Sequence, residues 1–442
     1  MSSRTSSVLQ YRGFKNLFIG QLISQFGDVL YFLVFLWWAG KIGGPAGTGL
    51  VGACSVGTAV VLSLYAGTVA DKYDRKKIMF VSDIFCGSAL LGLMVLVAVN
   101  PMPPLWALCV FAIILKCGYV FQMPARGAAI PRLVPEDRLL EANSLNMTFQ
   151  TMMPLIGYAL SAFVLGAIFR LSETLAYEIT FSVNALSFFV SAWFMAKLPA
   201  IPPERTTEAK HPWTEAKAGL KFVFGHPIIR AATLVFTAFQ FFVGPFMAAY
   251  VASAQTTFVG GVSVFGFVLK DASLLALLEI GFFAGFVIGS AVFYRRPLTR
   301  AGIVFPIFMS IASLAIVPLG FTSSVWVFWA LNFACGLFMP FAIIPVETLL
   351  QQETPDEFRG RMNAAVGTLS AASMPIAMVL GGYFIRMIGL DWTYAAMGIG
   401  LLLSCLGGLL SPSFRTSRVK SFAPEVPRAG SEPVEDSVPA IA

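Results

Sequence analysis

Charge is what this chain is short of. Only 12% of its 442 residues are Asp, Glu, Lys or Arg, about half the share of an ordinary soluble domain. Histidine is nearly absent, with His211 and His226 alone, so a histidine metal centre or acid–base pair has little to draw on. The six cysteines (Cys54, Cys86, Cys109, Cys117, Cys335 and Cys405) fall inside apolar runs and form no Cys-x-x-Cys pair. They read as small buried hydrophobes, against a disulfide framework or a thiolate metal site. There is no Gly-x-x-x-x-Gly-Lys loop for direct ATP coupling and no nucleophile with a base in a soluble-type segment, so no enzyme and no cofactor is expected. The polar stretch Met1 to Gln10 lacks an A-x-A-like site after it, so removal of a signal peptide is not expected. A net charge of +7 does not bring in nucleic acid, because the basic residues sit in short gaps between apolar runs and not in an aromatic-interleaved patch.

What is abundant is hydrocarbon. The chain is 57% hydrophobic with 41 Phe and a mean hydropathy of +0.77. Apolar windows long enough for about 30 Å of bilayer recur at 17–40, 46–69, 79–99, 105–125, 143–169, 176–196, 229–254, 272–294, 300–320, 325–349, 361–386 and 391–410. The expected fold is an all-α polytopic membrane protein with twelve transmembrane helices. Alternate gaps differ in charge: with the amino terminus inside, 25 of the 30 Lys and Arg residues fall in inner segments, and the outer gaps hold only Lys41, Arg170, Lys270 and Arg386. That bias puts both termini in the cytoplasm.

The long gap after residue 196 divides the crossings six and six. We read residues 1–196 as an amino-terminal six-helix bundle, 197–228 as a cytoplasmic linker, 229–410 as a carboxy-terminal six-helix bundle and 411–442 as a disordered cytoplasmic tail. Within the linker Trp213, Ala216, Leu220 and Phe224 recur at helical spacing, the pattern of an amphipathic helix lying on the inner membrane face. The halves echo each other: Pro135-Glu136-Asp137-Arg138 leads to Met153-Pro154, and Pro355-Asp356-Glu357-Phe358-Arg359 leads to Met374-Pro375. Parallel repeats about an axis along the membrane normal produce such a register.

A charged turn at 67–77 joins the second and third crossings. Gly67 is expected to let a neighbouring helix approach, and Asp71 to accept from a helix end or a basic side chain. Gly67, Asp71, Lys72, Arg75 and Lys76 resemble the loop between the second and third helices of the major facilitator superfamily, although Asp74 stands where that family usually has Gly. A left-handed turn there would tolerate Asp less easily than Gly. Gly20-Gln21, Ser24-Gln25, Gly27-Asp28, Asn184-Ala185-Leu186-Ser187-Phe188 and Arg359-Gly360-Arg361 resemble the bacterial macrolide-efflux and enterobactin-exporter branch. The resemblance implies two six-helix bundles in a bacterial cytoplasmic (inner) membrane, lipid and a small-molecule substrate as partners, a monomer as the unit, and export of an amphiphilic compound by alternating access, with proton exchange.

Charge at membrane depth costs several kcal/mol unless partnered or wet, which singles out Asp28 in the first crossing, Lys116 in the fourth and Glu279 in the eighth as candidates for coupling or a central cavity. Asp28 and Lys116 could form a structural ion pair, or Asp28 could carry a proton or a substrate cation. Gln25, Tyr31, Gln150, Asn184, Ser187, Gln240, Tyr250 and Asn332 are candidate cavity lining; each alone is more often a packing group. Gly67, Asp71, Arg75, Asp83, Arg126, Glu141, Glu347, Arg359 and Arg361 flank inner helix ends and are candidates for a gate, with Glu347 facing Arg359 or Arg361. The functional reading is a secondary exporter of a drug or siderophore. The alternatives are a divalent-metal carrier using Asp28, Asn184 and Ser187, a lysophospholipid transporter, and a non-transporting membrane receptor or scaffold.

Overall fold

The computed structural model describes residues 7–203, 212–295 and 298–419. Among these, ten helices are long and apolar enough to cross a membrane: α1 (Arg12–Lys72), α2 (Arg75–Val99), α3 (Leu105–Leu133), α4 (Leu139–Ile168), α5 (Glu173–Ala196), α7 (Pro227–Val243) continuing through α8 (Phe246–Ala252), α9 (Asp271–Arg295), α10 (Ala301–Ile316), α11 (Val325–Gln352) and α12 (Asp356–Leu409). The shorter α6 (Pro212–Gly225) and α13 (Pro412–Arg415) complete the set. The chain is an all-α polytopic membrane protein apart from one small hairpin.

Two of these helices are broken inside. α1 has 61 residues, about 92 Å of continuous helix, three times the hydrocarbon thickness. It bends at Gly44, whose φ of 63° and ψ of −159° are non-helical. A glycine adopts that left-handed backbone without Cβ strain, and Pro45 behind it is pre-set for the first turn of the returning arm. The arms fold back, so that Ala39 O lies 2.9 Å from where a Cβ on Gly47 would stand. α12, with 54 residues, breaks in the same way at Gly389 (φ 85°).

Packing follows an inverted rule. Leu93, Leu108, Phe181, Phe305, Phe328 and Tyr394 are buried between helices, while Val61, Val95, Leu186, Ile376 and Leu403 stand more than a third exposed. In lipid such an outer surface costs nothing, and the helices are held by close packing and by hydrogen bonds between polar side chains. In the amino-terminal part α1 packs on α3 and α5, and α2 on α3 and α5; in the carboxy-terminal part α9 packs on α11, and α10 on α11 and α12. The two parts meet where α1 contacts α8 and α12 and where α4 contacts α9.

Those junctions crowd the end that carries Gly44. Gln255 Nε2 donates to Trp37 O at 3.0 Å, Tyr158 and Phe283 rings stand 5.4 Å apart, and Gly382 lies against Pro45 and Ala46. At the opposite end the positions of Gly67, Gly127 and Gly367 face open space. The protein is therefore closed at the Gly44 end and open at the Gly67 end.

One element was not expected, and one expectation needs correction. β1 (Val262–Val264) and β2 (Phe267–Leu269) form an antiparallel hairpin between α8 and α9. Its tip, Phe265 (φ 48°) and Gly266 (φ 80°), has both residues at positive φ, as a tight two-residue hairpin turn requires. Residues 411–419 are not a disordered tail: Phe414 of α13 is fully buried against Phe305, and Val419 N donates to Thr299 O at 2.7 Å. The rest of the proposed tail, 420–442, lies outside the described residues, as does His211. In α6, Gly219 and Val223 are buried, Phe222 stacks on Phe358 at 4.9 Å, and Leu220 and Phe224 are exposed, while the side chains of Trp213 and Ala216 lie outside the described residues.

Candidate functional site

Helix α1 places Gly20, Ser24 and Gly27 on one face, at steps of four and three. That face seats on α5. A Cβ at Gly27 would stand 2.5 Å from Ser187 Oγ and closer still to Asn184 Oδ1, so only glycine allows this approach. The next residue, Asp28, thereby comes within reach of α5, and Asn184 Nδ2 donates to Asp28 Oδ1 at 3.2 Å. Ser187 Oγ donates to Asn184 O at 2.8 Å and contacts Asn184 Oδ1 at 3.0 Å, fixing the amide that holds the carboxylate.

Asp28 faces a cavity of about 390 Å³ within the amino-terminal part of the chain. Among the sequence candidates Gln25, Tyr31, Lys116, Arg126, Gln150 and Asn184 line it with Asp28. Ser187 sits one bond behind Asn184. Lys116 and Asp28 share the cavity but make no ion pair; the Lys116 ammonium stands over the Tyr119 ring, 4.6 Å from its centroid. A second cavity of about 320 Å³ between α4 and α9 shares Gln150 and Pro154 with the first and reaches Phe283 and Phe286.

The expected contribution of the carboxy-terminal part is different. Gln240, Tyr250 and Asn332 line neither cavity. Asn332 is fully buried and its Nδ2 donates to Leu278 O at 2.8 Å, so it is a packing group between α11 and α9. Tyr250 is buried against Phe246 of its own helix and Phe328 of α11, where α8 packs between α1 and α12. Glu279 lines neither cavity; it lies within electrostatic range of Tyr158, Tyr250 and Tyr394 and makes no ion pair among the described residues.

The gate residues also separate. Asp83 is fully buried; its carboxylate accepts from Gln122 Nε2 at 2.5 Å and from Ser191 Oγ at 2.7 Å. It ties α2 to α3 and α5 inside one part of the molecule. Arg126 Nη1 donates to Gln21 Oε1 at 2.7 Å, so it joins α3 to α1 and faces the cavity. Glu141 Oε1 accepts from Val8 N at 3.1 Å, and its other oxygen pairs with Arg138 at 3.1 Å, anchoring the amino-terminal turn. None of these three bridges the two parts.

The turn at 67–77 is bound to the chain after α5. Arg75 is buried and its Nη1 donates to Pro202 O at 3.4 Å; Lys76 Nζ donates to Leu198 O at 2.6 Å. Asp74 is not left-handed (φ −59°). It caps α2 by accepting from Lys76 N at 2.9 Å and also accepts from Ile201 N at 3.1 Å, two bonds that a glycine could not make. Gly67 meets no neighbour and Asp71 is exposed, because this end of the molecule is open. Glu347 is likewise exposed; Arg361 stands over the Phe358 ring at 5.4 Å, and the side chain of Arg359 lies outside the described residues.

Several lining residues were passed over in the sequence. Phe32 and Phe35 follow Asp28 at four and seven residues, and Tyr119 follows Lys116 at three, so all fall on a charged residue's own helix face. Gln122 and Ser191 are legible in the same way, Ser191 seven residues after Asn184. Among the described residues no group of three or more His, Cys, Asp or Glu side chains converges as a metal site.

Curated relatives and solved structures point one way. The chain is 24% identical over 346 residues to macrolide efflux protein A of Streptococcus pyogenes, covering 77% of this chain and 80% of that one. It is 24% identical to the uncharacterised MFS-type transporter YfiS of Bacillus subtilis, covering 92% and 95%, and 24% identical to the enterobactin exporter EntS of Escherichia coli, covering 83% of each. In fold it is similar to a POT family transporter solved with 5-aminolevulinic acid, with a TM-score of 0.69 at 12% identity over 91% of this chain and 96% of that one. The family model described as Major Facilitator Superfamily matches residues 17–374 and 303–437, and the chain belongs to that superfamily of membrane transporters.

Proposed function

We propose that the chain is a secondary exporter of amphiphilic or hydrophobic small molecules, a drug or a siderophore, that works by alternating access and is driven by protons. The arms of α1 and α12 on either side of Gly44 and Gly389 make twelve crossings, six in each bundle, with both termini cytoplasmic in a bacterial inner membrane. The observation that carries the reading is the cavity at Asp28: a carboxylate held by a neutral amide, sharing about 390 Å³ with a lysine it does not pair with, between aromatic walls. Such a carboxylate is free to exchange a proton or a ligand as the cavity opens to one side and then the other. The relatives named for macrolide efflux and enterobactin export support the direction and the class of cargo.

Lysophospholipid transport is a second reading, favoured by the cavity between α4 and α9, whose lining residue Met147 is 69% exposed; a lateral opening at that helix seam would admit a lipid tail. Vesicles carrying the purified chain, with an imposed pH gradient, test both against a drug, a siderophore, a lysolipid and divalent metals. The expected result is saturable, gradient-driven flux of the drug or siderophore, abolished in Asp28→Asn. Wild-type flux with unchanged pH dependence in Asp28→Asn removes proton coupling at this residue. Saturable flux of metal ions only would overturn the export reading.

A further inference from the structure

We propose that the cavity in the amino-terminal bundle selects amphiphiles bearing an acidic group, with Lys116 as the residue that binds it. This deepens the export reading and rests on it. Three charged side chains face the cavity: Asp28, Lys116 and Arg126. Two are cations and one is an anion. Arg126 is satisfied by the neutral amide of Gln21, and Asp28 by the neutral amide of Asn184, so neither cation is neutralised by a protein anion at contact distance. The Lys116 ammonium stands over the face of Tyr119, a contact that orients the group without cancelling its charge, and Asp28 lies within electrostatic range without forming an ion pair with it.

A cation enclosed among helices is costly unless an anion joins it. The excess of positive charge is therefore a recognition element for cargo of opposite sign. The remaining walls suit the rest of such a molecule: Tyr31, Phe32, Phe35 and Phe188 present aromatic surface to an apolar body. Lysine is a point charge on a flexible stem and does not demand the planar fork geometry that arginine does. Carboxylate, phosphate and sulfonate groups are all accommodated, which fits a carrier that accepts several cargoes of one charge. The acid can be borne by a soluble amphiphile or by a lysolipid from the bilayer, and the chemistry at Lys116 is the same.

The test is calorimetric titration of the full-length chain, purified in amphipol, with dodecyl phosphate, lysophosphatidylglycerol and dodecyltrimethylammonium. The acidic probes are expected to bind at least about tenfold more tightly than the cationic one. Lys116→Gln is expected to lose about that factor for the acidic probes alone, with Lys116→Arg restoring most of it. Whichever acidic probe binds more tightly identifies the source of the cargo. Equal binding of the three probes, a preference for the cationic one, or unchanged acidic binding in Lys116→Gln overturns the proposal. If Lys116→Gln does not fold, the wild-type order of probes and the Lys116→Arg variant decide. Absence of flux alongside a retained acidic preference would overturn export and leave this assignment standing; gradient-driven flux of the cationic probe alone would do the reverse.

Discussion

Replacing Asp83 with alanine should destabilise the protein without the selective loss of turnover that a gate residue would show. Its two carboxylate oxygens are spent on two donors, Gln122 Nε2 and Ser191 Oγ, at 2.5 and 2.7 Å, and the residue is fully buried. Alanine leaves both donors without an acceptor, at about 1–3 kcal/mol each, or about 2–6 kcal/mol together. Interhelical hydrogen bonds in bilayers average nearer 0.6 kcal/mol, which favours the lower half of that range. Asp83→Asn keeps one acceptor oxygen and should lose about half as much; Ser191→Ala, which removes one donor, should lose about 1 kcal/mol. Reversible denaturant titration in mixed micelles gives the three midpoints, and a double-mutant cycle of Asp83 with Ser191 gives their coupling. A loss below about 0.5 kcal/mol for Asp83→Ala, or strict additivity with Ser191→Ala, would refute the reasoning. So would intact stability with lost flux, which is what a gate between the bundles predicts.

Three further outcomes are expected. Gly382→Leu places a side chain against Pro45 O, 2.6 Å from the added Cβ, and should wedge the Gly44 end apart; spin labels at Leu50→Cys and Leu380→Cys in a cysteine-free background should report longer distances, and an unchanged distribution would count against the closed junction. Asp71→Asn should slow transport while leaving substrate affinity intact, since Asp71 is exposed and remote from the cavity; lost affinity with an unchanged rate would reverse that assignment. Glu279→Gln should leave equilibrium binding at the Asp28 cavity unchanged and lower gradient-driven flux, and a weakened affinity would place Glu279 in the binding site after all.

How much could be read from the chain depended on whether the signal was local. Hydropathy marked nearly every long helix, because a bilayer demands apolar length wherever a helix crosses. The reversal at Gly44 was visible only as a short gap, since one glycine and one proline suffice to turn the chain. Asp28 and Lys116 stood out because charge is scarce, and their shared cavity follows from α1 packing on α3. Their failure to pair did not follow, because it depends on Asn184 and Tyr119 taking the two groups in different directions. Asp74 misled because a departure from a family pattern looked like a tolerated defect, whereas its side chain supplies two hydrogen bonds. The hairpin at 262–269 escaped notice because strands of three residues carry no periodicity to read.

That hairpin also bears on how fast the protein can work. Phe267 meets Phe163 edge-on at 5.7 Å and lies under Arg170 at 5.2 Å, so a strap from the carboxy-terminal part of the chain rests on the amino-terminal part. Each of these contacts is worth about 0.5–1.5 kcal/mol. Under the proposed alternating access, these two contacts alone are expected to slow release by a factor of between about 5 and 150, at tenfold per 1.36 kcal/mol. A catch of ion pairs would hold for far longer. On that reading the Phe267 contacts are a fastening light enough to be undone on every cycle.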